Sequence, residues 1–195
     1  DVQDETGGVD VLINNAGIVF TGEILDLPDE KHHSQVEVNL MGTLWMLKAF
    51  VPPMVARDQG HIVNVASSAG LLAMPGMGMY SATKFALVGL NEALRVELAN
   101  RHSHIKTTLI CPYIINTGMF EGMRTPPLQP PLTPDDMAQA VIDAILSNRT
   151  IVAKPFTAFI PPIIKALLGP RAMDFILRLT GLNTAIYHCK GFYRP

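Results

Sequence analysis

At 195 residues the chain is long enough for one domain with a substantial core. Hydrophobic residues make up 48% and charged residues only 16%, which argues against long disordered regions outside its proline-rich stretches. The net charge is −2 with the signs interspersed, so the basic patch needed to displace counterions from nucleic acid is absent and no nucleic-acid partner is expected. Cys111 and Cys189 are widely spaced, which suits a reducing compartment better than a disulfide scaffold, and no metal site is suggested.

The chain starts at Asp1 without a signal-peptide pattern, and reads as a piece of a longer protein. Val11-Leu12-Ile13 forms a buried-strand pattern running into Asn14-Asn15-Ala16-Gly17, where small and amide residues replace bulk. Leu40, Leu44, Leu47 and Val51 then share one helical face, and the helix is expected to close at Pro52-Pro53, where the rings interrupt the hydrogen-bond ladder. Ile62 to Val65 is a second strand. Gly70 to Gly78 reads as a flexible lead into a helix with Leu87, Leu90, Leu94 and Leu98 on its buried stripe. The stretch from Ile62 to Thr83 has no formal charge and is long enough to cross a membrane. Asn64, Ser67, Ser68 and Pro75 interrupt it, so strand, loop and helix start is the better reading.

Thr107 to Ile110 makes a third strand ending at Cys111-Pro112. A proline-rich loop of about twenty residues follows, a length that in a compact domain suits a lid or binding loop, with residues 118–133 as its substrate-facing part. Asp135 and Asp136 open a helix carrying Met137, Val141 and Ile145, and Thr150 to Ala153 is the last strand. This alternation predicts an α/β fold with a parallel sheet over residues 1–155. Residues 156–195 mix apolar residues with Lys165, Arg171 and Arg178. Pro161, Pro162 and Pro170 break the segment too often for a span, leaving two readings: a cap on a substrate pocket, or short amphipathic helices lying on lipid.

Chemistry concentrates in Tyr80-Ser81-Ala82-Thr83-Lys84. If Tyr80 opens a helix, Lys84 lies one turn along the same face, where an ammonium favours the ionised phenol and lowers its pKa toward a working range. Alone, a Tyr-x-x-x-Lys spacing is common by chance. Ser67 lies upstream and Asn39 further back; Ser68 neighbours Ser67, but spacing to Tyr80 favours Ser67. His32, His33, His102 and His104 sit in polar surroundings and read as solvated residues. Met74, Met77 and Met79 flank the tyrosine and can line an apolar pocket or pack in the core.

Asn14-Asn15-Ala16-Gly17, Asn39, Ser67 and Tyr80-x-x-x-Lys84, in this order, resemble the short-chain dehydrogenase/reductase family. The segments around Asp10, Gly60 and Cys111 look like its membrane-associated hydroxysteroid and retinol dehydrogenases. The resemblance implies a doubly wound, Rossmann-like parallel sheet with helices on both faces, of which this chain holds the C-terminal portion, strands four to seven of the usual order. It implies NAD or NADP as cofactor and an apolar alcohol or carbonyl substrate such as a steroid, retinoid or long-chain lipid. Tyr80 would be the acid/base, Ser67 would bond the substrate oxygen, Lys84 would hold the nicotinamide ribose and lower the tyrosine pKa, and Asn39 would support a water leading from Lys84 to solvent. Asn15, Ala16 and Gly17 would floor the cofactor site, and Pro112, Ile115 and Thr117 would grip the carboxamide. Tyr113 departs from the family, which usually has glycine after the proline.

The Gly-rich pyrophosphate turn of a dinucleotide-binding fold is missing, so the chain alone is expected to bind cofactor poorly, to be inactive, and to leave a hydrophobic edge strand prone to association. Peripheral contact with a membrane or lipid droplet, a homodimer, and a place on the cytoplasmic side of the endoplasmic reticulum or lipid droplet in a eukaryote, or in the cytoplasm otherwise, are further expectations of the resemblance. Two alternatives stay open: an oxoacyl or sugar-type reductase, and a catalytically silent lipid-surface scaffold on the same fold.

Overall fold

The computed structural model describes residues 8–125 and 130–195. Four parallel strands form one sheet in sequence order: β1 (Val11–Asn14), β2 (His61–Val65), β3 (Lys106–Pro112) and β4 (Ile151–Lys154). Between them run α1 (Asp29–Val36), a π-helical segment Glu37–Met41, α2 (Gly42–Arg57), α3 (Gly78–Asn100) and α4 (Pro134–Leu146). Parallel neighbours need crossovers, and each crossover here is helical, as the alternating sequence pattern predicts.

Side-chain alternation along the strands sorts the helices between the two faces. Leu12 and Ile62 pack with Leu47, Val51, Met54 and Leu98 under α2 and α3. Val63 and Ile110 face the other way, onto Met137 and Ala144 of α4. Helix α4 starts with a reciprocal cap: the Thr133 hydroxyl accepts from Asp136 N–H, and the Asp136 carboxylate accepts from Thr133. Among the described residues β1 pairs only with β2, and its outward residues Val11 and Ile13 stay 41% and 47% exposed, the uncovered edge expected from the sequence.

Two local expectations fail. The helix does not close at Pro52-Pro53 but runs to Arg57, because Val51 and Met54, on either side of the prolines, are both buried against the sheet. Packing of that face outweighs the lost ladder bonds. The helix stops at Asp58, which takes the left-handed conformation at φ 53°. The run of residues 29–57 is long and apolar enough to cross a membrane, yet its Leu47, Val51 and Met54 belong to the core. Nor is Gly70 part of an open, flexible lead: it is buried, and a Cβ there would lie 2.6 Å from the Lys84 carbonyl oxygen. Only glycine lets the loop after β2 come that close to α3.

Beyond β4 come a short 3₁₀ turn, α5 (Ile160–Leu168), α6 (Pro170–Leu179) and a 3₁₀ segment Leu182–His188. This tail returns across the molecule. Tyr193 N–H donates to Thr21, Lys190 N–H to Glu121 and Arg124 N–H to Ala185. Ile186 and Cys189 are buried with Met77 and Tyr80.

Candidate active site

The site lies where β2 ends and α3 begins. Leaving the strand, the chain passes through extended Ser67, whose hydroxyl accepts from Ala69 N–H at 3.1 Å and so caps the following 3₁₀ turn. Ser67 and Tyr80 line the same cavity, and the serine hydroxyl acts to lower the pKa of the tyrosine. Ser68 lines the same cavity but does not serve the tyrosine this way. Tyr80 is the third residue of α3, not its opening one, and is buried with Ser81, Thr83 and Lys84 by the Gly70 loop and the tail. The edge of the Phe120 ring meets it at 6.1 Å between centroids.

Lys84 lies one turn further on, 97% buried, its Nζ donating to the Val65 carbonyl at 2.9 Å and standing 5.7 Å from the centre of the Tyr80 ring. A cation with so little water around it is destabilised, and its pKa falls from 10.5 to about 8. The Tyr80 phenol is not pulled down as expected. Burial pushes it above its ordinary value, and the Ser67 hydroxyl only opposes that rise. Burial also drives the nearby Cys111 thiol up to about 12, which keeps it protonated at neutral pH.

Asn39 is fully buried in the π-helical segment, a feature that the helical spacing of Leu40, Leu44, Leu47 and Val51 did not signal. Its side-chain oxygen accepts from Ile18 N–H at 2.8 Å, and its amide donates to the Ile18 carbonyl and to the Thr83 hydroxyl. Thr83 in turn donates to the Tyr80 carbonyl at 2.8 Å. One amide thus locks the loop after β1 to the second turn of α3. A Cβ on Gly17 would stand 3.4 Å from Lys84 Nζ and 3.5 Å from the Asn39 side-chain oxygen, so the missing side chain leaves a concave, amine-lined space. Asn15 and Ala16 are exposed beside it. The Lys84 amine beside Gly17 is a donor that could hold the hydroxyls of a cofactor ribose. A second amide chain stiffens its base: Asn14 donates to Asn64 at 2.8 Å, and Asn64 donates to Asn91 of α3 at 3.0 Å.

The remaining residues assigned from the resemblance are scattered more widely. Pro112 ends β3 and is buried, whereas Ile115 bridges to Leu132 and packs in the α4 cluster. Thr117 is exposed on the loop. Part of that loop, residues 126–129, lies outside the described residues, and Ile115 and Leu132 bring its two ends together.

Ser67 and Tyr80 open onto a cavity of about 290 Å³. Its other walls are mainly apolar: Leu72, Met74 and Met77 from the loop before α3, Phe120 and Met123 from the loop after β3, and Ile164, Met173, Ile176 and Leu177 from α5 and α6, with Thr157 and Thr180 among them. Met79 does not line it. Phe120, Met123 and the α6 residues were not singled out from the sequence as site residues. The Tyr113 ring also lines it, and the phenol's oxygen is buried without a protein partner, which raises its pKa. Of the histidines, His104 pairs with Asp58 at the surface and His32 bonds the Ile24 carbonyl; neither approaches the cavity. Among the described residues no His, Cys, Asp and Glu group could hold a metal.

The family model for short chain dehydrogenases matches residues 1–127. Epidermal retinol dehydrogenase 2 of Mus musculus is 42% identical over 182 residues, 90% of this chain and 59% of its own length. Retinol dehydrogenase 10 of Homo sapiens is 40% identical over 191 residues, 95% of this chain and 56% of its own. The chain therefore spans little more than half the length of these relatives. Among solved structures, a short-chain dehydrogenase from Burkholderia cenocepacia in complex with NADP superposes with a TM-score of 0.77 at 26% identity, covering 92% of this chain and 74% of that one. One from Burkholderia phymatum in complex with NAD gives 0.72 at 29% identity, covering 90% and 69%.

Proposed function

Because this chain belongs to the short-chain dehydrogenase family, we propose that the protein it forms interconverts an alcohol and a carbonyl on an apolar molecule, with NAD or NADP as redox partner. The observation that carries this reading is that two buried hydroxyl-bearing residues, Ser67 and Tyr80, share a cavity whose lining is otherwise mostly apolar, with Ser68, Tyr113, Thr157 and Thr180 as its other hydroxyl-bearing residues. A substrate with one oxygen and a large apolar body would place its oxygen at that pair and its body under α5 and α6. Retinoids, steroids and long-chain lipids share this shape, and the retinol dehydrogenase relatives favour the first.

When bound, the cofactor supplies or accepts the hydride. The residues of this chain handle the oxygen. In the oxidising direction Tyr80 takes the hydroxyl proton, and in the reducing direction it returns a proton to the carbonyl oxygen, while Ser67 holds that oxygen by a hydrogen bond. Burial raises the Tyr80 pKa, which favours the protonated phenol and so the donor role. Lys84, with its amine facing Gly17, would bind the ribose hydroxyls there, and its charge next to the phenol would then ease proton loss for oxidation. Asn39 keeps Ile18 and Thr83 in register and so positions both residues.

Full-length protein containing this chain, supplied with NAD and NADP in turn, should oxidise retinol, a hydroxysteroid or a long-chain alcohol in preference to a sugar or a β-hydroxyacyl thioester. Preference for the sugar or thioester would overturn the apolar-substrate assignment; turnover of none of them with bound cofactor would favour a silent scaffold.

A further inference from the structure

The hydroxyls of the cavity wall are not equally occupied. Ser67 accepts from Ala69 N–H at 3.1 Å, and Thr180 donates to the Ile176 carbonyl at 2.8 Å. Tyr113 differs. Of the buried side-chain polar atoms that lack a hydrogen-bond partner among the described residues, His32 Nδ1, Thr107 Oγ1 and Tyr113 Oη, only the last belongs to a residue of the cavity wall. Solvent does not satisfy it either, since the oxygen is buried. An O–H that leaves water without gaining a partner is destabilising, so a group that restores the bond is favoured there over one that does not. The backbone beside it is held: Tyr113 N–H donates to the Lys154 carbonyl at 2.9 Å, one step past the last pair of the β3–β4 ladder, Pro112 with Lys154. The side chain alone can answer a ligand, by turning about its Cα–Cβ bond.

The surroundings restrict what that ligand group can be. Burial raises the phenol's pKa, so at neutral pH it keeps its proton and acts as a donor. Among the described residues no Asp, Glu, Lys, Arg or His lines the cavity, so nothing there offsets the cost of bringing an ionised group out of water. Strands β2 and β3 are neighbours, and Ser67 and Tyr113 follow their ends, which puts this hydroxyl on the same rim of the sheet as the reacting pair.

We propose that Tyr113 is a specificity-determining residue whose hydroxyl takes a second, uncharged acceptor oxygen of the substrate, a ketone or ester carbonyl, while the reacting oxygen sits at Ser67 and Tyr80. This rests on the alcohol–carbonyl reading proposed above and narrows it: the preferred apolar molecule carries two oxygens. A one-oxygen substrate leaves the Tyr113 hydroxyl unpaired when it binds, whereas a two-oxygen substrate restores the bond, and the difference appears as discrimination between them.

A series of long-chain primary alcohols differing only in the position of one keto group, beside the unsubstituted alcohol, tests this by equilibrium dialysis against the full-length protein before cofactor is added. Affinity should peak at one keto position, roughly tenfold above the unsubstituted alcohol, and the peak should vanish in Y113F. A carboxylate on the same carbon should bind less tightly than the ketone. The Y113F protein should melt no lower than wild type, because the change removes a hydroxyl without a partner. A flat keto series in the wild-type protein, which needs no variant to fold, would overturn the proposal. So would a peak that survives in Y113F, a carboxylate that binds tightest, or a lowered melting temperature in Y113F. Binding is read without turnover, so the two readings fail separately. A Tyr113-dependent peak with no oxidation of any member once NAD or NADP is added keeps the second-oxygen site and removes the reaction; oxidation of the series without a peak does the reverse.

Discussion

The two ends of the cavity are built on opposite terms. At the Ser67–Tyr80 end nearly every polar group is buried and held: Asn39 by three hydrogen bonds, Thr83 by two, Lys84 by a backbone carbonyl. At the α5–α6 end the cavity lining is mainly apolar, Ile164, Met173, Ile176 and Leu177, and these side chains hold position by packing. Held polar groups fix where a reacting oxygen sits, whereas an apolar wall discriminates among bodies of different size by only modest factors. On the function proposed above, chemistry belongs to the first end and substrate choice to the second.

Substitutions can break that division, beginning with the strongest. Tyr80→Phe in the full-length protein should lower kcat by about 10³-fold or more while leaving cofactor binding unchanged, as expected for loss of an acid/base group; equilibrium binding and steady-state rates measured together check both halves. Lys84→Met acts on stability. The ammonium has an ordinary pKa of 10.5, and in the fold it is lowered to about 8. Between these values the unfolded chain holds a proton that the folded chain does not, so this group's contribution rises with pH across the window and is lost as pH falls through 8. Urea melts at the two ends of the window should show the variant lacking a rise of roughly 3 kcal/mol.

Ser67→Ala should cost about 100-fold in kcat with KM little changed, since it removes one of the two hydroxyls at the reacting oxygen. Ile176→Trp, at the opposite end, should raise KM for a bulky steroid about tenfold and leave kcat for a slim long-chain alcohol intact. If the tryptophan variant instead lowers kcat for every substrate, the two ends are not separable.

The polar end was the more legible in the sequence. Tyr80 and Lys84 stand one turn apart on α3, where i, i+4 spacing translates directly into proximity, whereas Ser67, in the loop after β2, and Asn39, in the π-helical segment, are named by the family resemblance. What resisted reading was whatever depends on tertiary return. Ile186 and Cys189 reach Tyr80 from a tail with no helical period, and Phe120 reaches it from a loop. Helix α1 was missed because Gln35 is its only fully buried residue, so it has no apolar stripe to detect. The direction of the Tyr80 shift was hidden for the same reason: the spacing shows the nearby cation, but only the packed tail and the Gly70 loop show how little water remains.

The most direct test follows the hydrogen. Full-length protein incubated with NAD or NADP and an apolar alcohol carrying deuterium at the carbinol carbon should deliver that deuterium to the reduced cofactor, read by mass spectrometry, with the Tyr80→Phe variant delivering at least about 10³-fold less. Deuterium appearing in water instead, or transfer undiminished in the variant, would contradict hydride transfer governed by Tyr80.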